Sequence, residues 1–213
     1  MLFKQGVEVF SSDNEKVGTL DRVVMDPKTK EVTHIIVREG FLFTEDKVVP
    51  MDLIGSVTDE RIALQGSKEH LDELPDYEET HYVPRDAAID DDMNTLYWNP
   101  PVDGWGGYGR YAFYYPQSQY LRRTEKNIPE GMVALAEGAK VLAEDGDQVG
   151  TIETLITDPK DERVTHLVIS SGLLLKERKM IPAYWLSSVN DDEVHLSVES
   201  RLLDRLPEYH PEG

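Results

Sequence analysis

Val17-Gly18-Thr19-Leu20-Asp21-Arg22-Val23-Val24-Met25-Asp26-Pro27-Lys28-Thr29-Lys30-Glu31-Val32-Thr33-His34-Ile35-Ile36-Val37 is the stretch that decides the fold of this chain. β-Branched and apolar residues flank Asp26-Pro27-Lys28-Thr29-Lys30. Proline presets the φ of a turn and aspartate bonds the backbone at its start, so residues 17–38 read as an antiparallel hairpin. The wording then returns as Val149-Gly150-Thr151, Asp158-Pro159-Lys160 and Val164-Thr165-His166. Outward from these pieces, Gly6–Tyr77 aligns without a gap with Gly138–Tyr209 at an offset of 138 − 6 = 132, with 26 of 72 paired positions identical. Leu74-Pro75 with Tyr77 closes one copy, and Leu206-Pro207 with Tyr209 closes the other. Two copies make a tandem pair of small domains, because a solenoid needs roughly three or more repeats to bury its faces.

Each copy reads as an all-β unit with one short helix. Val7 and Val9 open a first strand, and Lys47-Val48-Val49-Pro50 is a strand whose proline belongs at an edge or an end. Gly55–Thr58 and Arg61–Leu64 flank Asp59-Glu60 as a second hairpin. Short strands at this spacing predict a small barrel. Ser67–Leu74 reads as a two-turn helix with Ser67 at the N-cap, one face made of His70, Leu71 and Leu74, and Pro75 as its stop. Ser200–Leu206 is its counterpart ahead of Pro207.

Composition narrows the function classes. The 213 residues carry 22 basic and 41 acidic side chains, a formal net charge of -19 and no cysteine. Without cysteine there are no disulfides, thiolate metal sites or cysteine nucleophiles. The negative surface opposes phosphate backbones, so direct nucleic-acid binding is not expected. No apolar run approaches the roughly 20 residues of a membrane-spanning helix, and the N-terminus lacks the apolar core of a signal peptide. The expectation is a cytoplasmic, acidic protein of bacterial or archaeal type.

Both copies resemble the PRC-barrel domain. The resemblance is carried by Gly6 and Val9 (Gly138 and Val141), the Val-Gly-Thr strand entry, the Asp-Pro-Lys hairpin, the Val-Thr-His strand, and Lys47–Pro50 with Lys179–Pro182. It implies a small, partly open β-barrel in each copy, of the kind found in the cytoplasmic part of the photosynthetic reaction-centre H subunit and in the C-terminal domain of a ribosome maturation factor. In those settings the domain binds other proteins and has no catalytic residues of its own. The organisation that follows is a barrel-like domain at 1–82, an aromatic, Gly/Pro-rich insert at 83–131, and a second barrel-like domain at 132–213.

Few residues invite a chemical role. His34 and His166 recur at the same place, but alternation puts His34 beside Val32 and Ile36, and His166 beside Val164 and Val168, as packed structural residues. The remaining histidines show no ligand spacing, so no metal or cofactor is expected. Asp13 and Asp145 lie in matching turns; the second suggests calcium, yet the full oxygen-ligand loop is missing and turn geometry accounts for it. Phe41 and Phe43 follow Gly40, as Leu173 and Leu175 follow Gly172, and read as lids over the barrel mouths or as docking tips.

The insert holds Tyr97, Trp98, Trp105, Tyr108, Tyr111, Phe113, Tyr114, Tyr115 and Tyr120, nine of the 18 aromatic residues in the chain. Glycine and proline between them prevent a long helix, and a mere tether would be poor in rings. The insert therefore packs on the barrels, pairs with itself in a homodimer, or binds another protein, with Trp98, Trp105, Tyr108, Tyr111, Phe113, Tyr114 and Tyr115 as the candidate surface. From Asp86 to Gln119 a single basic residue, Arg110, faces five aspartates, which disfavours a single-strand platform. The expected function is a non-catalytic adaptor, scaffold or assembly factor. The alternative is a small-molecule or pigment binder with a pocket walled by the insert.

Overall fold

The computed structural model describes residues 1–38, 46–84, 120–171 and 177–210. In chain order the strands of the first half are β1 (Leu2–Lys4), β2 (Glu8–Phe10), β3 (Lys16–Met25), β4 (Val32–Arg38), β5 (Asp46–Pro50), β6 (Ile54–Val57) and β7 (Arg61–Leu64), followed by helix α1 (Lys68–Asp72). β8 (Glu78–Pro84) and β9 (Tyr120–Lys126) pair with each other. The second half has β10 (Val133–Ala136), β11 (Lys140–Leu142), β12 (Gln148–Thr157), β13 (Val164–Ser171), β14 (Glu177–Pro182), β15 (Leu186–Val189), β16 (Glu193–Leu196) and α2 (Ser200–Leu203). Met1–Glu78 and Lys126–Gly213 make one compact unit, and Glu79–Glu125 makes another.

Within the first unit, each repeat runs its strands in the order β5-β4-β3-β2-β7-β6 or β14-β13-β12-β11-β16-β15. A single 3-10 turn, Met51–Leu53 or Ala183–Trp185, joins the two end strands of each path, as the partly open barrel implied by the resemblance requires. Pro50 and Pro182 each end the terminal strand of their path, where a missing N–H costs no ladder bond.

A seventh strand in each sheet comes from the other repeat. β1 pairs antiparallel with β12 (Phe3 opposite Leu155), and β10 pairs with β3 (Leu135 opposite Val23). The two registers coincide under the 132-residue offset, so the repeats exchange strands reciprocally. The chain crosses between the sheets at Gly6 and Gly138, whose φ angles of 81° and 83° lie in the left-handed region that glycine enters without strain. Near the pseudo-twofold relation between the repeats, Val32 N–H donates to Glu162 O and Val164 N–H donates to Lys30 O. The core is accordingly continuous: Val9, Val23, Ile35 and Ile62 share one buried cluster with Val141, Leu155, Leu167 and Val194, and Phe3 and Leu135 belong to it.

The readings of the two helices are corrected in their extent, while Ser67 holds the N-cap position as expected. The first helix spans five residues, with Leu71 buried, Leu74 partly buried and His70 exposed, so His70 is not on the packed face. Ser67 occupies the N-cap without a side-chain cap bond. In the second copy the N-cap is Glu199, and α2 ends at Leu203.

Candidate functional site

β-Bulges shape the outer face of each sheet. Register shifts skip Asp21 and Thr33 in the first repeat, and Glu153 and Thr165 in the second. An extra residue resets the alternation of faces. Val32 therefore joins the inner core opposite Met25, whereas His34 lies opposite Val24 on the outer face. The expected sharing of a face by His34 and Val32 is thus broken at Thr33, and in the second repeat Val164 likewise joins the core opposite Thr157 while His166 lies opposite Ile156. His34 is half-buried, its Nδ1 lies 3.0 Å from Thr33 Oγ1, and burial holds its pKa below the usual value against a weaker pull from Asp52.

Directly opposed residues share a sheet face. On the first repeat the outer face carries the rows Ala136–Arg22–Ile36–Val48 and Ala134–Val24–His34–Pro50. On the second the rows are Lys4–Thr154–Val168–Met180 and Leu2–Ile156–His166–Pro182. Tyr77 and Tyr209 border these faces, held by Tyr77 N–H to Asp46 O (2.6 Å) and Tyr209 N–H to Arg178 O (2.7 Å).

The two faces differ in what covers them. On the first repeat, Ile128 and Met132 pack against Val24, Ile36, Val48, Tyr77 and Ala134. Asn127 donates its N–H to Tyr77 O (2.9 Å) and its side-chain amide to Asp76 O (2.8 Å). The Lys126 ammonium lies 5.8 Å from the Tyr77 ring centroid and pairs with Asp191, whose carboxylate holds Lys126 above its usual pKa range. Tyr77 is left 3% exposed, and burial pushes its phenol up. On the second repeat no segment among the described residues takes that position. Instead Leu2, Val168, Tyr209, Lys4, Asp59 and Arg178 line an open pocket of about 140 Å³.

Ion pairs brace the sheet edges beside these faces. The Asp21 carboxylate, 3% exposed, accepts from Arg38 at 2.7 Å and from Gln5 Nε2 at 2.9 Å. Burial pushes Asp46 up while Arg38 opposes it. In the second repeat Glu153 takes the place of Asp21, and its cation is Arg178, at 2.6 Å, on β14, which lies beyond β13 in the sheet.

The aspartate turns behave as turns. Asp26 Oδ1 accepts the N–H groups of Lys28 and Thr29, which hold its carboxyl below the usual range. Asp145 accepts the hydroxyl (2.7 Å) and N–H (3.1 Å) of Ser200, so this carboxylate serves the start of α2. Among the described residues no group of three or more His, Asp or Glu side chains is placed to hold a metal ion, and no helix is long and apolar enough to cross a membrane. Trp98, Trp105, Tyr108, Tyr111, Phe113, Tyr114 and Tyr115, like Phe41, Phe43, Leu173 and Leu175, lie outside the described residues.

Two features escape a reading of the sequence alone. Tyr209 recurs with Tyr77, a visible signal, but the difference in cover between them is not. Tyr184, 79% exposed with its ring edge-on to Trp185, stands where the first repeat has Asp52; that replacement of a charge by a ring was the available clue.

Among the described residues, fold and faces together define a strand-exchanged double β-barrel in which Ile128 and Met132 cover the outer face of the first repeat and the outer face of the second carries a pocket. The chain belongs to the PRC-barrel family: the PRC-barrel domain model matches residues 5–71 and 136–200, one match on each repeat. A search of curated proteins gives no match.

Proposed function

We propose that this protein is a non-catalytic scaffold that binds another protein through the outer face of its second repeat. The observation that carries the reading is the contrast between the two faces among the described residues: Ile128 and Met132 cover one, while Leu2, Val168 and Tyr209 of the other line a pocket. Apolar shelves bordered by tyrosine are characteristic of interface hot spots. Among the described residues, Asp21, Glu153 and Asp145 serve ion pairs and a helix start, which is structural work for carboxylates rather than catalysis. The aromatic residues 97–120 offer a second contact surface to the same or another partner, including a second copy. A cytoplasmic place of work, in a bacterium or archaeon, fits the cysteine-free, acidic composition.

The small-molecule alternative has less support. About 140 Å³ accommodates a side chain or two, whereas ligand pockets run to roughly 300–1,000 Å³. Affinity purification of the full chain from its native cell tests the proposal. The expected result is one protein recovered in fixed stoichiometry. A chain that emerges alone, carrying a chromophore or other small molecule in its native mass, contradicts it.

A further inference from the structure

The covered face of the first repeat is a template for what binds the open one. Under the 132-residue offset, Tyr77 corresponds to Tyr209, Ile36 to Val168, Ala134 to Leu2 and Asp191 to Asp59. On the first repeat the cover is the segment that leaves β9, with three anchors. The Lys126 ammonium sits on Asp191 beside the Tyr77 ring, the Asn127 N–H donates to Tyr77 O, and the Ile128 side chain packs against the apolar floor. The receiving groups recur on the second repeat: Asp59 at the pocket rim, the half-buried Tyr209, and Val168 with Leu2 as floor.

Resting on the scaffold reading, we infer that the open face receives an extended segment of another protein in which a lysine or arginine is followed two residues later by a bulky aliphatic side chain. The cation pairs with Asp59 and lies against Tyr209, the intervening backbone N–H donates to the Tyr209 carbonyl, and the aliphatic residue fills the pocket. Charge favours such a partner, since a chain of net charge -19 attracts a cationic segment and steers it to the surface. Two cations, Lys4 and Arg178, and two carboxylates, Asp59 and Glu153, line the pocket; Arg178 and Glu153 pair with each other at 2.6 Å, which makes Asp59 the carboxylate proposed to meet an incoming cation beside Lys4. The first repeat does not compete for the segment: its own cover is tethered, which gives that cover a high effective concentration.

The test uses the full chain and, as probe, a synthetic peptide with the sequence of residues 124–133, Thr-Glu-Lys-Asn-Ile-Pro-Glu-Gly-Met-Val. Binding is followed by chemical-shift changes at Leu2, Val168 and Tyr209. Saturable shifts at these residues are expected. They should weaken by about five- to tenfold when the peptide lysine becomes glutamate or when the protein carries Asp59→Lys, and the doubly reversed pair should recover part of the loss. Tyr209→Ala, at a half-exposed site, should abolish the shifts while the core resonances stay in place. No saturable binding, or binding indifferent to both Asp59→Lys and Tyr209→Ala, overturns the inference. So does a dimer in sedimentation that Tyr209→Ala dissociates, or binding that appears only after residues 85–119 are deleted, because the face then belongs to a second copy or to the chain itself. A stoichiometric partner whose capture from the native cell is lost with Tyr209→Ala but untouched by Asp59→Lys overturns this inference alone and leaves the scaffold reading standing, whereas capture indifferent to both substitutions overturns the binding face as well.

Discussion

At the scale of single residues, close approach and burial set the energetics. A Cβ on Gly18 would lie 2.3 Å from the Arg38 carbonyl oxygen and 2.8 Å from Val37 Cγ1, so Gly18→Ala forces β3 and β4 apart. The expected cost is about 1–3 kcal/mol, the range for overpacking, measured as a lower denaturant midpoint. His34 gives a pH signature. Its folded pKa lies below the unfolded value of about 6.5, so the unfolded chain takes up the proton first. Its contribution is fully present above that value and is lost as pH falls from about 6.5 toward the lower folded pKa. His34→Gln should flatten the slope of stability against pH in that window, and an unchanged slope would refute the assignment. Much at this scale was legible: the Asp26 and Asp158 turns form the bonds that their chemistry dictates, to Lys28 and to Lys160. The face of Val32 was not, because the bulge at Thr33 depends on how β3 and β4 pair, which a count of alternate residues does not contain.

At the scale of elements, hairpins and edge prolines followed from local sequence, because β3–β4 and β6–β7 join neighbours through short turns. β1 and β10 did not. Each is three or four residues long, and its partner strand belongs to the other repeat. No local pattern announces a pairing made across more than 100 residues, here between Val133–Ala136 and β3. The exchange makes an unusual prediction for Phe3, 2% exposed and opposite Leu155. Phe3→Ala should cost about 3–5 kcal/mol, and its damage should appear first in the exchange protection of β12 and β13, in the repeat to which Phe3 does not belong by sequence. Damage confined to β2–β7 would mean that β1 does not make the crossed pairing. The cover on the first repeat was equally illegible, since Ile128 and Met132 lie in a stretch that reads only as insert until Tyr77 and Val24 are seen beneath them.

At the scale of the whole molecule, reciprocal exchange turns two marginal barrels of about 70 residues into one body with a shared core. The proposed scaffold role needs that property, because β1 contributes Leu2 and Lys4 to the proposed binding face and keeps them there only while it stays in the sheet of the other repeat. The net charge of -19 then acts on the whole body, repelling anionic polymers and favouring cationic segments. The most direct measurement is denaturant unfolding followed residue by residue through the amide signals of β3 and β12. Crossed strands predict coincident midpoints for the two repeats, and a common shift of both in Phe3→Ala. Separate midpoints, with one repeat melting while the other keeps its native signals, would contradict the account.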